Sequence, residues 1–344
     1  MKILRAIFGV LVARRLLVLL LAALLVLPVF FAPRIVLPGI TFSYLFVIDV
    51  SESMNVRDVD ARDPEMSRLD RAKASVVAAL ASLPCGSRAS IALFAGTDAM
   101  TLFEPIEVCR HFPAIEQVVR NIDWRMAWDG DSRIEAGLVN ALREAEKSHL
   151  DLVFVTDGDE APHVDVPRLS DLLSMRGPVK GWLLGVGSAE PHPVPRLDAD
   201  NRIIGYWSAL DAAREGFHPN LVETLGRTPS AADLEKSGAL ADVVEHRSAL
   251  QAAYLKQLGT AAGLGYATAD TPERLAGIAT DAHLQRKENA ERDIRAVFGL
   301  AAALLIVIDW LNSSGRRLLV RRRRAVASIS PPAVRVRYAS SGRA

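Results

Sequence analysis

The stretch that decides the reading is Phe46-Val47-Ile48-Asp49-Val50-Ser51-Glu52-Ser53-Met54. It continues an apolar run, Tyr44 to Val50, broken only by an acid near its close. Such a run is expected of a strand buried on both faces, as in a parallel sheet. A carboxylate followed by hydroxyls two and four residues later then stands where the strand leaves the sheet. A second run, Leu150 to Val155, leads to Thr156-Asp157-Gly158, and Gly158 permits a tight turn. A third core strand is expected over Gly181 to Val186.

Helical spacing fills the intervals. Leu69, Ala72, Val76, Ala79 and Leu80 recur at threes and fours within 67–83. Further helices are expected over 115–119, 134–145, 166–175 and 249–258. Ser90–Ala95 and Ala99–Phe103 read as a hairpin around Gly96-Thr97-Asp98, and Gly265–Ala269 as a last strand. Strands alternating with helices imply an α/β class: a doubly wound, mostly parallel sheet with helices on both faces. Ligands of such sheets bind outside the carboxyl ends of the strands. Asp49 and Asp157 are both expected on that edge.

The chain has 344 residues and a formal charge of +1. That near-neutrality hides a division. Residues 1–39 carry five basic residues and no acid, and 312–344 carry nine arginines and no acid. The total therefore leaves −13 for the residues between. Leu16 to Ala32 is 17 uncharged, mostly apolar residues behind Arg14 and Arg15. Ala296 to Leu311 is a second apolar segment, with Asp309 near its end and Arg316, Arg317 and Arg321 to Arg324 beyond. Basic flanks mark the cytoplasmic side of membrane helices. The expectation is thus a two-pass protein of a bacterial inner membrane, flanked by two transmembrane helices, with both termini cytoplasmic and an acidic periplasmic body. Its divisions are 1–39, basic end and anchor; 40–282, the α/β domain with an insert over 190–246; 283–311, a helix leading into the second span; and 312–344, a basic tail. A cleaved signal peptide is the other reading of the first segment, but Pro33 directly after Ala32 makes a poor cleavage site.

Asp49, Ser51 and Ser53, with Ser132 in the Gly130-Asp131-Ser132-Arg133-Ile134 loop and Asp157, are the candidate site. Carboxylates with hydroxyls suit a hard divalent cation. The three segments resemble the von Willebrand factor A (VWA) domain with its metal-ion-dependent adhesion site, over 42–190 and more loosely to 280. The resemblance implies that Ser51, Ser53 and Ser132 touch the metal and that the acids bind directly or through water. It also implies a coordination position open to a partner's carboxylate. Ser132 stands where the family has threonine, keeping the hydroxyl and losing a methyl. The cation implied is Mg2+, with Ca2+ or Mn2+ as alternatives. The two anchors, and Arg68-Leu69-Asp70-Arg71-Ala72-Lys73, are similar to the bacterial group associated with MoxR-type AAA+ ATPases. That group includes Bat aerotolerance proteins and VWA proteins of methanol dehydrogenase gene clusters; no segment of this sequence reads as the extra amino-terminal helix often found in Bat-type proteins. The resemblance implies a non-enzymatic binding module that assists assembly or maturation of a partner, metal insertion into methanol dehydrogenase included; its alternative is a component of a stress or aerotolerance-type membrane complex working with a MoxR-type AAA+ ATPase. Its partners would be a carboxylate-bearing protein, the lipid bilayer, an AAA+ ATPase and related VWA proteins, without nucleic acid.

Other residues leave alternatives open. Glu52, Asp58, Asp60, Asp129, Asp131, Asp159 and Glu160 lie near the candidate ligands. They are either solvated loops or a rim that attracts Ca2+. Trp124, Met126 and Trp128 are either partner anchors or core. Cys85 and Cys109 sum to 194, centring a hairpin on residue 97, so a disulfide is expected, against two buried thiols. Asp198, Asp200 and Asn201 imitate part of a calcium loop but lack its Gly and Glu, favouring a polar turn. A metal-dependent hydrolase is the competing class; it needs a general base or a second metal. The chain has no Walker A loop, no G-x-S-x-G, no H-E-x-x-H and no C-x-x-C.

Overall fold

Two strands open the body, β1 (Arg34–Thr41) and β2 (Ser43–Asp49). Every residue of β2 is buried, and its two faces enter different clusters. Tyr44, Phe46 and Ile48 pack on one side of the sheet, and Leu45 and Val47 on the other. The period of two along a strand makes that division, so β2 is apolar at every position from Tyr44 to Ile48. The structure is a computed structural model that describes residues 2–31, 34–161, 169–208, 211 and 246–327.

Ser67 starts α2 (Arg68–Ser82) with a capping box shared with Asp70. The strands β3 (Arg88–Ala95), β4 (Asp98–Thr101) and β5 (Ile106–Glu107) follow, then α3 (Val108–Arg120) and α4 (Ile134–Lys147). β6 (Asp151–Thr156), α5 (Ser170–Ser174) and β7 (Gly181–Gly185) continue the alternation. The expected helix over 166–175 falls partly outside the described residues. Next come the short strands β8 (His192–Pro193), β9 (Pro195–Leu197), β10 (Ile203–Tyr206) and β11 (Arg247–Ser248). α6 (Ala252–Ala262), β12 (Gly265–Thr268) and α7 (Pro272–Ala279) complete the α/β layers.

The main sheet runs β12-β7-β6-β2-β3-β4, with β5 also beside β3. Neighbours from β12 to β3 are parallel, and only β4 and β5 run antiparallel to β3. The chain leaves β2 toward β3 and returns on β2's other side as β6, so the strand order reverses there. Open sheets of this kind offer a ligand crevice at that point. Leu69, Val76 and Leu80 of α2 and Leu275 of α7 cover the face carrying Tyr44 and Phe46. Leu138 and Leu142 of α4 and Leu255 and Leu258 of α6 cover the opposite face.

Cys85 and Cys109 are joined by a disulfide with a Cα–Cα distance of 5.2 Å. The expected hairpin forms, but its register does not run unbroken to the cysteines. The β3–β4 register is Ala95 opposite Asp98, whereas β5 returns beside the start of β3 with Arg88 opposite Glu107. Cys85 precedes β3 and Cys109 lies in the first turn of α3.

Leu37–Ala290 and a second set, Met1–Val36 with Glu291–Ala344, form two compact units. In the second, α1 (Lys2–Val26) runs into a 3-10 turn ending at Phe31. Ala13–Phe31 and Arg295–Asn312 are long and apolar enough to cross a membrane, with mean hydropathies of 2.3 and 1.7. The expected helix from 283 is replaced by a 3-10 turn and by β13 (Arg286–Asp293), which pairs with β1. Arg-Lys-Glu-Asn-Ala-Glu-Arg-Asp has no apolar stripe for a helix to bury, whereas strand pairing uses only its backbone. The last helix, α8 (Arg295–Ala327), continues well past residue 312. Arginine is a good helix former, so the polar sequence beyond the apolar segment carries the helix on.

Candidate metal centre at the carboxyl edge of the sheet

β2 and β6 are parallel neighbours, with Ile48 opposite Val155, so Asp49 and Asp157 leave the sheet on one edge. Both carboxylates are wholly buried. Asp49 Oδ1 accepts the Ser51 backbone N–H at 2.8 Å, and Oδ2 accepts the Thr156 hydroxyl at 2.6 Å. Burial, and then the nearby Asp157, push Asp49 up to about 7 against these stabilising bonds. A buried acid beside another acid is a natural seat for a cation.

Glu52–Asn55 forms a 3-10 turn after Ser51, and the Ser51 side chain makes no capping bond to it. The Ser51 hydroxyl instead lies 3.2 Å from that of Ser53. Ser132 is held by its backbone, which bridges Gly96 and exchanges hydrogen bonds with Ala161 at 2.8 and 2.9 Å. Its side chain is buried, and its Oγ has no hydrogen-bond partner. A buried hydroxyl without a partner is costly and calls for an explanation. The donor set is oxygen only: two buried acids and three hydroxyls. It fits a hard divalent cation such as Mg2+.

Asp157 is more constrained than its sequence context indicates. Its Oδ1 accepts the Asp159 N–H at 3.0 Å and its Oδ2 accepts Arg68 Nη1 at 2.7 Å. The Arg68 side chain has no solvent exposure. It also donates to Asp58 through Nε and Nη2, at 3.0 and 2.7 Å, and to the Ser248 hydroxyl at 2.6 Å. Gly187 makes room for it: a Cβ there would sit 2.6 Å from Arg68 Nε. Gly158, at φ +79°, turns the chain directly after Asp157. Asp159 is pushed up to about 7, by burial first and then by Asp157. Nothing in Arg68-Leu69-Asp70-Arg71-Ala72-Lys73 announced a contact with Asp157.

The surplus acids are mostly spoken for. Asp58 pairs with Arg68, and Asp60 with Arg71 at 3.1 Å. Glu160 accepts the Tyr254 hydroxyl at 2.5 Å and the Glu135 N–H at 3.1 Å. Asp129 Oδ1 accepts the Asp131 N–H at 3.0 Å, and Asp131 lies 3.7 Å from Arg133. The aromatic loop divides. Trp124 packs against the core and donates Nε1 to Asn201 at 2.7 Å, whereas Met126 and Trp128 are 44% and 41% exposed. Asn201, at the tip between β9 and β10, also donates to Asp123 at 3.0 Å. Asp198 Oδ1 accepts the N–H groups of Asp200 and Arg202, which makes the segment a polar turn.

The sheet order and its acid-and-hydroxyl edge define a VWA-type α/β domain. Residues 44–160 match the family model of the von Willebrand factor type A domain. Among solved structures, the chain is similar to an aerotolerance-related membrane protein from Bacteroides fragilis NCTC 9343. The identity is 17%, over 69% of this chain and 96% of that one, with a TM-score of 0.45. It is also similar to the conserved hypothetical protein BatB from Bacteroides thetaiotaomicron, at 16% identity, over 69% and 95% of the chains, with a TM-score of 0.46. A third likeness is proximal thread matrix protein 1 from the mussel byssus, whose structure has a zinc-occupied MIDAS motif. Here the identity is 14%, over 44% and 39% of the chains, with a TM-score of 0.32. The curated proteins include no match to the chain.

Proposed function

We propose that this protein is a membrane-anchored, metal-dependent protein-binding module. The observation that carries the reading is the unpartnered, buried hydroxyl of Ser132 on the edge where two buried acids and two further hydroxyls stand. Asp49, Ser51, Ser53, Ser132 and Asp157 would hold a divalent cation, Mg2+ first. When bound, that cation supplies an electrophilic point for a carboxylate oxygen of a partner protein. Asp49 contributes charge, the Ser51–Ser53 turn contributes two hydroxyls, and the exposed Met126 and Trp128 offer apolar contact nearby in the chain. The role is binding without catalysis, in the assembly or maturation of a partner across the membrane.

Titration of the full chain in detergent with Mn2+, read by the paramagnetic signal of the free ion, tests the metal. One site is expected in wild type and none in Asp49→Ala; equal uptake by both contradicts the assignment. The basic residues flanking both apolar helices support an orientation with the termini in the cytoplasm and the VWA domain in the periplasm. Protease added to spheroplasts is expected to degrade the domain, and complete protection contradicts this orientation.

A further inference from the structure

Arg68 is a long cationic side chain with no solvent exposure, placed against a candidate metal ligand. A buried guanidinium persists only when its donors and charge are met. Asp58, Asp157, and the hydroxyl and carbonyl of Ser248 meet them here. Its bond to Asp157 bears on the metal. Each carboxylate oxygen can accept twice, so Asp157 keeps acceptor capacity beside Arg68. Its negative charge, however, is already opposed by a fixed cation at 2.7 Å. Asp58 draws the same guanidinium from its other side, and its Oδ2 also accepts the Ser188 N–H at 2.9 Å. Asp49 differs: its bonds come from a backbone N–H and from a neutral hydroxyl.

We infer that Arg68 sets the affinity of this site for its cation. By offsetting Asp157 it leaves Asp49 as the ligand acid whose charge is not already opposed. A divalent ion is then held loosely by the protein alone and keeps positive charge for a partner's carboxylate. Asp58 tempers the effect, because it offsets Arg68 in turn. The inference rests on reading this edge as a metal site, and it adds an affinity-determining residue outside the ligand set.

The test is Mn2+ titration of the full chain in detergent, with the free ion read by its paramagnetic signal. Replacing the ion pair together, Arg68→Gln with Asp58→Asn, removes one charge of each sign and frees Asp157. The Mn2+ dissociation constant is expected to fall severalfold, because the cation removed touches Asp157 whereas the acid removed lies on the far side of the guanidinium. A constant that is unchanged or raised overturns the inference. Asp58→Asn alone keeps Arg68 and removes its counterweight, so Mn2+ binding is expected to weaken about tenfold. This single variant decides the matter if the double variant does not fold by circular dichroism, and unchanged or tighter binding overturns the inference. Asp49→Ala separates the two levels. If wild type binds no Mn2+, the metal reading falls and takes the inference with it. If wild type binds, Asp49→Ala does not, and both Asp58 variants match wild type, the inference alone falls.

Discussion

Asp123 is where the aromatic loop and the β9–β10 hairpin meet. Its carboxylate accepts the Arg125 guanidinium at 2.7 Å and the Asn201 amide at 3.0 Å. Burial would raise its pKa, but the bonds from Arg125 and Asn201 outweigh it and hold the group down to about 2. A folded-state value below the unfolded one stabilises the protein above the unfolded pKa of roughly 3.9 and loses that stabilisation as pH falls toward 2. Wild type is therefore expected to exceed Asp123→Asn in melting temperature at pH 6, with the gap closing between pH 4 and 2. A gap independent of pH would contradict the assignment. Asp49, Ser51, Ser53 and Asp157 were legible in the sequence because each sits within a few residues of a strand end. Arg68 and Asn201 were not. Arg68 meets Asp157 across 89 positions and Asn201 meets Trp124 across 77, and such distant pairs leave no local pattern.

At the scale of elements, the strands buried on both faces were the plainest to read, since β2, β6 and β7 are short apolar runs with acids or glycines at their ends. The helix expected over 115–119 proves to be α3, starting at Val108. Pro113 reads locally as a helix stop. Glu107, accepting the Arg110 N–H at 2.6 Å, nevertheless caps an earlier start. β13 was invisible because its charged sequence shows neither an apolar run nor an apolar alternation. The β9–β10 hairpin is short, and its tip is tied down by Asn201, by Arg57 Nη2 to the Asn201 carbonyl at 3.3 Å, and by Arg125 Nη1 to the Ala199 carbonyl at 2.6 Å. A short two-stranded piece is marginal without such ties. In Asn201→Ala, amide exchange within 195–206 is expected to quicken severalfold while β2 and β6 keep wild-type protection. Equal protection of the hairpin in both proteins would show that the tie is not what orders it.

On the scale of the whole molecule, the division of charge gives the account its geometry: basic ends beyond two apolar helices, and an acidic body whose carboxylates are partly gathered at one sheet edge. Part of that acidity is met within the fold, by Arg68 and Arg71, and Glu160 is hydrogen-bonded to Tyr254. What the edge retains is a small set of oxygens suited to one cation. The central claim is that this cation mediates the grip on a partner. The measurement is photo-crosslinking in intact cells from a reactive group placed at Met126, which is exposed on the loop leading to Ser132. A partner adduct is expected that forms with Mg2+, disappears with a chelator that reaches the periplasm and is missing in Asp49→Ala. An adduct of equal yield in all three conditions would contradict it.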